Sequence, residues 1–330
     1  MGIKHLHKFI KRSETIIELK PNTNYFNKSI AIDISILIYK LVIAIRSNGT
    51  DLLNREGQII SHIISLYDKT LNFLEMGITP IFVFDGKPPS FKNTILLNRQ
   101  NIRKYAQLKM DSTDDKLEKI KYFKRTVHVT KKQMEECKEM LSLMGLPVIQ
   151  APEEADSQCA YLAKLNLVYG VLTNDTDILV HGAPKIITNI SSKQKTVCEI
   201  NLDSILSHYE ISYEQFIDMC ILFGSDYNSV KNVNYYKAFQ LIQKFGSIEE
   251  IIDGNEIKLD FDYKKIRRYF TKPHVTKIAD LDLTIKKPNY VKLFDFMVNK
   301  FKLSRAKTTK KINKLEQLYN SKYQNILICN

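Results

Sequence analysis

Three apolar runs in this chain end in acid. AIDIS carries Asp33, IFVFD carries Asp85, and VLTNDTDIL carries Asp175 and Asp177 two residues apart. The lead-ins are short and rich in Ile, Val, Phe and Leu, as strands buried inside a covered sheet must be. Polar residues at the carboxyl ends of such strands lie at the edge where open α/β sheets hold their ligands. A chain that repeats the pattern three times is expected to fold as α/β, with a mostly parallel twisted sheet flanked by helices.

The segments between these runs agree. Residues 58–75 carry Ile60, Ile63, Ile64, Leu71 and Leu74 at helical spacing, and Gly77 then stops the helix. ITPIFVFD (78–85) reads as a strand, and the GKPP that follows forbids its continuation. Residues 92–125 read as basic helix with an acidic interruption, DSTDD, at 111–115. TKKQMEECKEMLSLMG (130–145) is an amphipathic helix with a Thr cap and a Gly stop. A short strand (LPVIQAP), a helix (153–166) and a strand (169–175) follow, and from about 213 the pattern becomes largely helical.

Lys and Arg outnumber Asp and Glu by 49 to 36, a net charge of +13, which favours a polyanionic partner such as nucleic acid. The five Cys form no CxxC pair, so neither a disulfide framework nor a zinc site is expected. The most apolar run, residues 30–45, is broken by Asp33 and Lys40 and is too short to span a membrane.

Glu154 and Asp156 in APEEADS and Asp226 in LFGSDY bring the acids to seven. Singly, each has an ordinary explanation: acids cap helices and favour their first turns. Together they do not. Two like charges about 4 Å apart repel by ~4 kcal/mol at an effective dielectric of ~20, so several at one sheet edge need cations to stay ionised. Oxygen ligands without a His or Cys set suit Mg²⁺, with Mn²⁺ as a substitute. Two such ions can activate a water and stabilise the leaving oxygen in phosphodiester hydrolysis. Lys92 and Arg99 lie seven residues apart, two helical turns, with Arg103 one turn further, a row able to clamp a phosphate.

In order along the chain, MGIKHLHKFI, AIDIS with Tyr39, VFDGKPP, RTVHVTKKQMEECKEMLSLMGLP, APEEADSQCAYL, TNDTDILVHG and ILFGSDY resemble the flap endonuclease branch of the XPG family of structure-specific 5′ nucleases. The match covers about residues 1–250 and weakens to about 310. It implies a PIN-like nuclease core (1–105 and 129–212), a helical arch at 94–128, a helix–three-turn–helix DNA-binding element within 213–295, and a basic tail at 296–330. It implies two divalent ions held by Asp33, Asp85, Glu154, Asp156, Asp175, Asp177 and Asp226. Asp156 stands where relatives often have Glu, one bond shorter, so ligation there is expected to pass through a water. The resemblance gives Lys92 and Arg99 the scissile phosphate, Tyr39 a base to stack on, and Gly2 a close approach of the N-terminus to DNA.

The chain departs from the family in two places. The hairpin that grips duplex phosphates is VKNVNYYK here, with Asn232 and Asn234 in place of glycines and Lys231 and Lys237 available to compensate. Asn tolerates positive φ better than most residues. The tail KYQNILICN has Gln324 and Leu327 of a sliding-clamp peptide without its aromatic pair, so clamp docking is not expected.

The expected activity is Mg²⁺-dependent cutting of branched or flapped DNA by a monomer in replication, recombination or repair. Its expected place is a nucleus, or a viral replication site if the Ile/Asn/Lys-rich composition reflects a large DNA virus. A 5′→3′ exonuclease, a bubble or junction nuclease of the same family, and a non-catalytic DNA-structure binder stay open as alternatives.

Overall fold

The computed structural model describes residues 2–12, 15–19, 25–89, 92–188, 190, 197–225, 228 and 230–327. A seven-stranded sheet is built from β1 (Ile16–Leu19), β2 (Ser29–Asp33), β3 (Thr79–Phe84), β4 (Val148–Gln150), β5 (Gly170–Leu172), β6 (Lys185–Thr188) and β7 (Val197–Asn201). Its order is β1-β7-β6-β5-β2-β3-β4. The pairings from β6 through β4 are parallel, and β7 and β1 close one side antiparallel.

Successive strand residues feed opposite cores, as the two-residue strand period requires. Ala31, Ile81 and Val83 join a cluster with helices 155–164 and 213–223. Ile30, Ile32, Phe82 and Phe84 join a second cluster with helices 34–46, 61–75 and 131–143. Both faces are covered, so the central strands β2, β3 and β5 are apolar in their interiors.

Element boundaries follow local chemistry. Thr130 and Gln133 form a reciprocal capping box on helix Lys131–Leu143. The acidic interruption separates helices Asn93–Ser112 and Lys116–Arg125, because the Asp115 side chain caps the second by accepting from Leu117 and Glu118. From 213 onward the chain is helical, and Arg267 braces this region: its guanidinium grips Asp218 (2.7 Å) and Glu249 (2.8 Å) with paired N–H donors.

The stretch expected as a tail is a long helix, Arg305–Leu327. Ile312, Leu315 and Tyr319 recur at helical spacing and are buried, Ile312 and Leu315 in the second core. Lys311 and Lys314 pair with Asp68 and Glu75 on helix Ser61–Glu75. Gln324 and Leu327 fall in its last turns, and residues 328–330 lie outside the described residues. Among the described residues no helix is long and apolar enough to cross a membrane.

Candidate active site

The sheet order fixes where a site must form. From β2 the chain moves outward through β3 to β4, then returns to place β5 on the other side of β2 and continues outward to β6. The order therefore reverses between β2 and β5, the place where the loops diverge and open a crevice at the carboxyl ends of the strands. Asp33 is the last residue of β2, Asp85 directly follows β3, and Asp175 follows β5 by three residues.

Each acid is held in a defined way. Asp33 is 5% exposed and caps helix Ile34–Arg46, accepting from the Ser35 N–H (2.8 Å) and the Ile36 N–H (3.2 Å). Asp85 is exposed and accepts from Ser35 Oγ (2.5 Å) and the Ala155 N–H (2.9 Å). Asp175 Oδ1 accepts the Asp177 N–H (3.1 Å), and Asp177 Oδ1 accepts the Ile3 N–H (2.7 Å). Glu154 is the cap residue of helix Ala155–Lys164; Lys92 pairs with one of its oxygens and the Tyr269 hydroxyl donates to the other. Asp156 lies in the first turn of that helix. Its Oδ1 is buried and accepts no hydrogen bond among the described residues.

Electrostatics ties these groups into one cluster. Burial, then the charges of Asp33, Asp175, Glu154 and Asp85, raise the Asp156 carboxyl well above the ordinary carboxylate range. Burial and then Asp85 do the same to Asp33, against the two capping N–H groups that favour its charge. A buried acceptor without a donor costs about 1–3 kcal/mol, more when charged, and mutual repulsion adds to that. Hard cations relieve both, so the residues fit divalent ions. Among the described residues no three His, Cys, Asp or Glu side chains stand arranged to hold a metal ion. Ser35, Ala155, Lys92, Tyr269 and Ile3 donate to oxygens of Asp33, Asp85, Glu154 and Asp177. Asp226 lies outside the described residues.

Lys92, Arg99 and Arg103 are half-buried along the start of helix Asn93–Ser112, with Lys92 turned to Glu154. Tyr39 is half-buried against the second core, and its hydroxyl accepts the Val129 N–H (3.4 Å). At the Asn pair, Asn232 takes the left-handed conformation (φ 58°), so the turn forms without glycine there. Asn234 plays a different part, capping helix Tyr235–Phe245 by accepting from the Lys237 N–H (2.9 Å). The side chains of Lys231 and Lys237 are exposed.

Gly2 has a structural reason besides any approach to DNA. Its φ is +89°, and a Cβ there would lie 2.3 Å from Asp177 Oδ1. Gly2→Ala is therefore expected to displace either the N-terminus or the Asp177 carboxylate, and to lower nuclease turnover at least about tenfold. Single-turnover cleavage measures this; an unchanged rate would show that the carboxylate position is not critical.

Four participants escaped sequence reasoning. Ser35 bridges Asp33 and Asp85, and its place two residues after Asp33 was a usable signal. Lys40, read only as a break in an apolar run, is partly desolvated, with Asp33 and Asp175 favouring its charge. Tyr269 and His181 gave no signal at all; His181 is buried edge-on against the Tyr269 ring.

Residues 1–106 match the XPG N-terminal domain and residues 145–226 the XPG I-region. Flap endonuclease 1 of Glycine max is 38% identical over 340 residues, 98% of this chain and 89% of that protein. The structure of flap endonuclease-1 from Methanococcus jannaschii superposes with a TM-score of 0.74 at 32% identity, covering 95% of this chain and 99% of that one. The catalytic core of Rad2 in complex with DNA substrate gives 0.73 at 25% identity, covering 95% and 100%. With the acid edge and the sheet order, these likenesses place the chain in the flap endonuclease branch of the XPG family of structure-specific 5′ nucleases.

Proposed function

We propose that this nuclease cuts flapped DNA at the junction, using Mg²⁺ held by Asp33, Asp85, Glu154, Asp156, Asp175, Asp177 and Asp226. The observation that carries the reading is the buried, undonated Asp156 Oδ1 inside a ring of like charges at the strand-order reversal. Bound divalent ions supply a nucleophilic water at neutral pH and neutralise charge on the attacking and leaving oxygens. Two ions per site suit a set of seven acids.

The chain's own residues do the rest. Lys92 and Arg99 place positive charge where the scissile phosphate arrives, and Lys92 exchanges Glu154 for that phosphate when DNA binds. Asp33, capping its helix, keeps its oxygens fixed relative to Asp85 through Ser35. Helices Asn93–Ser112 and Lys116–Arg125 form the arch that a free 5′ strand passes beneath. Asn232, Lys231 and Lys237 grip duplex backbone, with register set by phosphate contacts rather than by base sequence. The protein works as a monomer, independently of a sliding clamp, in a nucleus or at a viral replication site.

The test is cleavage of a labelled double flap, a nicked duplex and a bubble in Mg²⁺ and in EDTA, with the 5′ end of the flap free or blocked by a bulky protein. Junction cutting that needs Mg²⁺ and a free end is expected. Cutting of nicked duplex from its 5′ end, or of the bubble, in preference to the flap would favour a neighbouring specificity. Binding without cutting would favour a DNA-structure binder. Lys92→Ala and Arg99→Ala are each expected to lower the single-turnover rate about 10²-fold with little change in flap affinity; a loss confined to affinity would return them to a general basic surface.

A further inference from the structure

Glu154 is held by two donors of different character. Lys92 stands at the foot of the helical pair and carries the charge that the reading above assigns to the scissile phosphate. Tyr269 comes from helix Tyr263–Thr271, 115 residues away in sequence. The anchoring of that helix is independent of the acid edge. Arg267, two residues before Tyr269, projects to the other side of the helix and grips Asp218 and Glu249. The Tyr269 ring is 9% exposed and meets the His181 ring edge-on at 5.1 Å. His181 is buried, and burial, then the charge of Lys92, lowers its pKa to about 3 and keeps the ring neutral. The tyrosine is thus locked on its ring side, with its hydroxyl aimed at one carboxylate oxygen.

We infer that Tyr269 is a positioning residue for the metal site: its hydroxyl orients the Glu154 carboxylate toward the divalent ion, and keeps it oriented when Lys92 leaves for the substrate phosphate. This rests on the metal-site reading above. An ionised carboxylate offers about four acceptor sites, so donors from Tyr269 and Lys92 still leave lone pairs for a cation. A fixed outer donor selects the rotamer and spares the ordering cost of binding. Partners of this kind are worth about 10–100-fold in metal affinity. No sequence pattern announces such a residue, because it acts through its placement on a helix remote in the chain.

The test is Mn²⁺ binding to the DNA-free full-length protein by calorimetry, comparing wild type with Tyr269→Phe, which keeps the ring on His181 and removes only the hydroxyl. About tenfold weaker binding is expected, with a metal-free Tm within a degree or two of wild type and unchanged affinity for flap DNA in EDTA. Unchanged Mn²⁺ affinity in the variant overturns the inference alone; absence of Mn²⁺ binding by wild type overturns it together with the metal-site reading. The cycle with Glu154→Ala, which removes the acceptor altogether, keeps the inference open to refutation even if Tyr269→Phe lowers the metal-free Tm. Acting through Glu154, the Tyr269→Phe change costs nothing further in that background; the same tenfold loss there would show that Tyr269 works by another route.

Discussion

Asp177→Ala is expected to reduce flap incision by more than about a thousandfold, roughly 4 kcal/mol of transition-state stabilisation, while flap DNA stays bound within a few-fold in EDTA. The side chain does two jobs. It is one of the acids proposed to hold metal, and its Oδ1 accepts the Ile3 N–H in a buried bond of 2.7 Å. Alanine removes both, leaving a buried donor without an acceptor at a cost of about 1–3 kcal/mol. Asp177→Asn separates them, since its amide oxygen can still accept from Ile3. The asparagine variant should match wild type in metal-free Tm yet be as inactive as alanine. Cutting by either variant at a near-normal rate in Mg²⁺ would remove Asp177 from the metal site.

The second large effect runs in opposite directions for activity and stability. Asp156→Asn should abolish cutting and at the same time raise the Tm of the protein in EDTA. Without metal, Asp156 is a buried carboxyl among Asp33, Asp175, Glu154 and Asp85, with one oxygen that accepts nothing. Replacing it with a neutral isostere removes repulsion worth about 1–3 kcal/mol at such a site, a few degrees in a chain of this length. Saturating Mg²⁺ should raise wild type and leave the variant nearly unmoved, closing or reversing the gap. Paired melting curves with and without the ion decide it. A variant less stable than wild type in EDTA would mean that Asp156 is satisfied by groups other than a cation.

Much of this site could be read from the sequence because the sheet itself advertises it. A strand covered on both faces must be apolar, so an acid at its end stands out, and Asp33, Asp85 and Asp175 emerge at the strand ends or a few residues beyond. The helix boundaries at Thr130 and Gly145 were legible for a similar reason, since capping chemistry is local. What escaped was carried by long-range contact between ordinary residue types. Tyr269 and His181 look like core aromatics until folding sets Tyr269 on Glu154 and His181 against the Tyr269 ring. Lys40 looks like an interruption until the sheet places Asp33 and Asp175 near it. The Asn pair was legible at Asn232, where backbone conformation decides, and misleading at Asn234, where the side chain caps a helix instead of standing in for a glycine. The final helix was read as a tail because Lys residues mask the spacing of Ile312, Leu315 and Tyr319.

The chain before the helical pair 93–125 supplies β1, β2 and β3, and the chain after it supplies β4 to β7. In space these interleave: β3 meets β4, β2 meets β5, and β1 meets β7. The two stretches are laced along three seams, so the segment joining them supplies no strand to the sheet and touches its covering layer through Arg46, which donates to the Phe123 carbonyl. Its turn at Thr113–Asp115 can change length while the acids keep their places, provided a capping residue such as Asp115 still starts the second helix. If the helical pair is the arch proposed above, a fold wired this way can exchange that arch over an unchanged acid edge, and so diversify in the DNA shapes it admits without reinventing its chemistry.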